Sequence, residues 1–130
     1  MGNYKFTGLF IGWMIVITAS SLFSFPDDGG EGWFTFAHTD KVVHMAFHFG
    51  IVVLGILALN EKFFTTWPWN KKWVSVLLFS IGYGLGIEFL QWAMPFERTA
   101  EIWDVFANLG GALLGVLLTQ MSRSLIERLK

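Results

Sequence analysis

The chain has no cysteine among its 130 residues. That excludes a disulfide framework, thiol catalysis and a thiolate metal centre. Charged residues make up 15% of the sequence, against roughly 25% in a soluble domain. Nine Lys and Arg face ten Asp and Glu, for a net charge of −1. The strongly basic surface of a nucleic-acid binder is therefore missing. There is no Gly-rich phosphate loop, no G-x-S-x-G elbow and no H-E-x-x-H zinc motif. The common soluble-enzyme signatures are thus excluded as well.

What is present is apolar. Hydrophobic residues account for 54%, and mean hydropathy is +0.53. The length suits one domain, residues 1–130. Four apolar runs are each close to the about 20 residues that cross a bilayer as a helix. They predict helices over approximately 6–25, 40–60, 73–94 and 101–121. The expected fold is all-α, an integral membrane four-helix bundle. The first run is read as a retained helix, because its apolar core exceeds that of a signal peptide. Pro26 to Gly32 reads as a loop, and Glu61 to Lys72 as a basic, aromatic membrane edge. Pro95 to Ala100 is short, so the third and fourth helices should be antiparallel neighbours.

An even number of spans puts both termini on one side. Lys5, Lys62, Lys71, Lys72, Arg123, Arg128 and Lys130 fall on that side, and only Lys41 and Arg98 on the other. The positive-inside rule then makes both termini cytoplasmic.

The few polar residues inside the runs gather at the opposite, outer end. Glu88 is the only charged residue between Trp73 and Met94. A carboxylate at such depth persists where it faces a protein interior or wet cavity and has a partner. Asp40, His44 and His48 recur at i, i+4, i+8 and share a helical face. Asp104 and Asn108 do the same, and Glu88 and Gln91 are three apart. His44, Glu88, Gln91, Asp104 and Asn108 should lie within roughly 10 Å of the outer boundary. The inner half is expected to carry almost no polar groups.

This set contains acid–base candidates (Glu88, His44), cations able to hold an anion (Arg98, Lys41) and further polar contacts (Asp40, Gln91, Asp104, Asn108). It suits a lipid phosphate or a sugar head group. No metal site is assigned. His44 and His48 form only a weak H-x-x-x-H pair, and His48 alone reads as a buried, hydrogen-bonded residue. No cofactor is implied.

Asp40-Lys41-Val42-Val43-His44, Glu88-Phe89-Leu90-Gln91, and Arg98 followed by Asp104 to Asn108 and the glycines 111 and 115 resemble the VanZ-like family of small bacterial membrane proteins. The pattern D-K-x-x-H, E-x-x-Q, R, D, N spans about residues 40–118. His48 and Glu101 lie outside it. The resemblance implies a four-helix protein of the bacterial cytoplasmic membrane, and the family's namesake is linked to low-level teicoplanin resistance. Three functions stay open. The first is a protein that binds or remodels an anionic lipid or cell-envelope precursor head group. The second is a membrane-embedded lipid-head-group hydrolase or transferase. The third is a structural or assembly subunit whose glycine faces serve partner helices. Membrane lipids are the expected partners, possible precursors among them, with no nucleic acid. The sequence assigns no oligomeric state.

Overall fold

The computed structural model describes residues 4–23, 39–61, 64–94 and 101–129. Among these there is no strand. Four long helices follow one another: α1 (Lys5–Leu22), α2 (Thr39–Leu59), α3 (Trp69–Ala93) and α4 (Ile102–Met121). A short α5 (Arg123–Glu127) ends the described chain. All four long helices are long and apolar enough to cross a membrane. The all-helical expectation is borne out.

Helix ends follow local chemistry. Asp40 and Asp104 sit in the first turns of α2 and α4, where a negative charge meets the positive end of the helix dipole. α3 starts at Trp69, directly after Pro68 in extended geometry. That is one turn before the apolar run at Trp73. The expected loop over Glu61–Lys72 is corrected accordingly, since its last residues are helical. Ser122 breaks α4 from α5, and its carbonyl accepts the amides of Leu125 and Ile126 at 3.0 Å each.

α2 is the hub and packs most extensively on α4. The two run parallel, because Lys41 meets Asp104, Met45 meets Gly111 and Val52 meets Gly115, in rising order along both helices. α1 and α3 run the other way. Glycine makes the α2–α4 approach possible. A Cβ at Gly111 would overlap the Met45 carbonyl, and one at Gly115 would lie 2.9 Å from Val52 Cβ. These two glycines are therefore used inside the bundle rather than offered to a partner helix. On α1, Trp13 lies against Gly50 and donates its indole N–H to the Phe47 carbonyl at 3.0 Å.

The apolar core joins Val52, Ile56, Trp69, Val76, Ala112 and Ile126. Much apolar surface remains outside, including Trp92 (75% exposed) and Met121 (78%). Water would penalise so much exposed apolar area, whereas hydrocarbon does not.

The end of the bundle where α1 begins and α4 finishes is more polar than expected, which is a correction. Lys72 is 2% exposed and Asn60 3%. Lys72 donates to Asn60 Oδ1 at 2.8 Å, and Asn60 Nδ2 donates to the Ile126 carbonyl at 2.7 Å. Trp69 donates to Gln120 at 2.6 Å. Glu61 caps α1 by accepting the Phe6 and Thr7 amides at 2.7 and 3.0 Å and the Thr7 hydroxyl at 2.7 Å. Burial pushes the Glu61 carboxyl up, but these hydrogen bonds outweigh it and hold the group below the usual carboxylate range.

Candidate functional site

The site is assembled from one end of each of α2, α3 and α4. The i, i+4 spacing in α2 aims His44 at α4, and that in α4 aims Asp104 and Asn108 back. His44 Nδ1 lies 3.0 Å from Asn108 Oδ1. An amide oxygen only accepts, so Nδ1 carries the proton and donates. His44 Nε2 is then left 3.6 Å from Asp104 and 3.8 Å from Asp40, too far for a hydrogen bond.

Lys41 occupies the centre of the acidic rim. Its ammonium donates to Glu101 Oε2 at 2.6 Å and to Asp104 Oδ1, and lies 3.5 Å from Asp40. Glu101, outside the motif, thus proves to be a partner. Its signal was available: an acid immediately ahead of a helix that begins beside Asp104.

Glu88 and Gln91 occupy the C-terminal end of α3 and are both buried. Glu88 Oε2 accepts the backbone N–H of Glu101 at 3.2 Å. The carboxylate therefore sits at the positive end of α4. Gln91 Nε2 donates to the Ser21 carbonyl at 2.8 Å, satisfying an end-of-helix oxygen of α1. No periodicity in α1 announces that Ser21 is the receiver.

His48 behaves as a core histidine. It is 3% exposed, and its Nδ1 lies 2.8 Å from Ser80 Oγ. Gly84 makes room for it: a Cβ there would come within 2.8 Å of His48 Cε1 and 3.0 Å of Asn108 Nδ2. A cleft of about 150 Å³ between α3 and α4 is lined by His48, Ser80, Gly84, Leu85, Asn108 and Leu109.

Among the described residues, the side chains whose ligand atoms approach within 4.8 Å of one another are Asp40, His44 and Asp104. His48 is turned away to Ser80, so the H-x-x-x-H pair does not converge. Lys41 already supplies positive charge to the same carboxylates. Arg98 lies outside the described residues, as does His38.

Seven of the eight site residues expected from sequence therefore gather on three helices at one end: Asp40, Lys41, His44, Glu88, Gln91, Asp104 and Asn108. With four membrane-length helices around it, this arrangement defines a multi-pass helical membrane protein with a buried polar layer. The chain belongs to the VanZ/LLP1 family, whose family model matches residues 6–123. No curated protein and no solved structure matches it.

Proposed function

We propose that the protein binds the polar head group of an anionic lipid or lipid-linked cell-envelope precursor at the outer face of a bacterial cytoplasmic membrane. The observation that supports this is a gradient of exposure through one polar cluster. The Asp40 and Glu101 side chains are 51% exposed, Lys41 24%, His44 7% and Asp104 5%. Such a cluster is open at its rim and buried at its floor, as suits a head-group site. Stability alone is a weak motive for it, since buried ion pairs rarely outperform well-packed apolar side chains.

The distribution of Lys and Arg supports the orientation, with both termini inside and this end outside. Lys41 is shared by neighbouring carboxylates. Contact with the anionic part of the ligand therefore falls to Arg98, whose guanidinium suits bidentate recognition. If the ligand is the envelope precursor, deleting the protein changes teicoplanin susceptibility.

The test is lipid retention by the purified protein, read by native mass spectrometry. Asp104→Asn, His44→Ala and Arg98→Ala should each lower selective retention about tenfold, and Arg128→Ala should not. Equal retention in all four refutes the reading. One observation favours a second reading, a hydrolase or transferase. Asn108 orients the His44 ring so that Nε2 faces the Asp40 and Asp104 carboxylates at 3.8 and 3.6 Å, the kind of positioning an acid–base histidine needs. Turnover of a lipid-linked phosphate that disappears in His44→Ala or Glu88→Gln would favour that enzyme.

A further inference from the structure

Both ends of the bundle bury polar side chains, but they differ in how completely those groups are satisfied. At the inner end Lys72, Asn60, Glu61, Thr7, Trp69 and Gln120 are all hydrogen-bonded. At the outer end two buried atoms have no partner: Glu88 Oε1 and Gln91 Oε1. Their residues are only 8% and 4% exposed. Leaving such atoms unpaired costs far more than leaving them in water.

The chemistry of the two atoms points in one direction. Gln91 cannot be turned round, because its nitrogen is committed to the Ser21 carbonyl, which only accepts. The leftover atom is therefore an acceptor. In Glu88, one oxygen takes the Glu101 amide and the other is left over. The two residues are i and i+3, on one face of α3. On the Glu88 side stand three more acidic residues, Asp40, Glu101 and Asp104. Among the described residues of this end the cation is Lys41, already bound to Glu101 and Asp104. The described wall thus has acceptors and negative charge in surplus, and lacks donors and positive charge.

We propose that the head group bound here carries a primary ammonium, whose N–H groups donate to Glu88 Oε1 and Gln91 Oε1. This rests on the head-group reading above and narrows it from anionic head groups in general to those whose phosphate is accompanied by an amine, with the ammonium meeting α3. A quaternary ammonium of equal charge fails, because it has no N–H to give. A purely anionic head group fails, because it adds charge of the wrong sign at this wall.

The experiment compares three phospholipids with identical chains, bound to the purified full chain and read by native mass spectrometry. They are phosphatidylethanolamine, phosphatidylcholine and phosphatidylglycerol. Phosphatidylethanolamine should be retained at least about tenfold better than either of the others, the difference expected for hydrogen bonds to charged groups. Gln91→Leu and Glu88→Gln should each reduce that preference. The comparison on the unaltered protein stands even if a variant does not fold. Soluble phosphoethanolamine separates two sources of the amine. Displacement of the lipid by it at similar concentration supports the donor rule with a free amine as ligand, and failure to displace supports a lipid-borne one. Equal retention of phosphatidylcholine, or preference for phosphatidylglycerol, overturns the ammonium proposal while leaving a head-group site standing. Indifference to all three lipids, with no change in Asp104→Asn, overturns both.

Discussion

Asn108 Oδ1 and His44 Nδ1 lie 3.0 Å apart, although 64 residues separate them in the chain. Both residues are buried, so neither can exchange this bond for water. Asn108→Leu leaves the His44 N–H unpaired and should lower stability by about 1–3 kcal/mol. Thermal unfolding in detergent measures the loss. A variant that melts with the parent would show that His44 finds another acceptor.

Lys41 joins the head of α2 to the head of α4 through Glu101 and Asp104. Lys41→Met strands Asp104 in a buried position. Removing one partner of a fully buried pair costs about 3–5 kcal/mol. The partial exposure of Lys41 reduces this to roughly 1–3 kcal/mol. The double variant Lys41→Met/Asp104→Leu should recover most of that loss. A double-mutant cycle with no coupling would show that the bridge contributes nothing.

Gly111 and Gly82 should respond in opposite ways. A Cβ at Gly111 meets the Met45 backbone, whereas at Gly82 nothing lies within 4 Å. Gly111→Ala should destabilise by about 1–3 kcal/mol through overpacking. Gly82→Ala should be neutral or stabilising by up to about 1 kcal/mol, from helix propensity. Equal melting temperatures for the two would contradict the close α2–α4 crossing.

The cap of α1 by Glu61 should be sensitive to acid. Its carboxyl titrates below the ordinary 4.5 in the folded protein. The stabilisation is therefore complete above that value and is lost as pH falls through the lower, folded value. Hydrogen exchange at Phe6 and Thr7 should accelerate, relative to the intrinsic rate, on acidification below about pH 4.5. In Glu61→Gln the acid dependence should vanish.

Topology can be read with single cysteines, because the chain has none of its own. Thr66→Cys should react with an impermeant thiol reagent only from the cytoplasmic side, and Thr35→Cys only from outside. The reverse result would place the polar layer at the inner face.

Much of this was legible in the chain. Spacings of i, i+4 in Asp40, His44 and His48, and in Asp104 and Asn108, marked the faces that later met. Glu88 stood out because an acid within an apolar run demands an explanation. Other parts carried no such mark. Lys72 flanks an apolar run, where lysine ordinarily reaches for the interface, yet it is buried against Asn60. Ser80 and Ser21 are small residues in apolar helices, and nothing in their order shows that His48 and Gln91 will use them. Glycines 111 and 115 looked available to a partner until α2 was found lying on them.

Order of residues alone settled the apolar character of this protein, the number of its membrane-length helices and the faces on which Asp40, His44, Asp104 and Asn108 recur. Those follow from hydropathy and helical period, which are local properties. Which donor meets which acceptor was decided only when α2 and α4 packed in parallel. A hydrogen bond depends on a few tenths of an ångström between segments far apart in the chain, and only the packed bundle sets that distance.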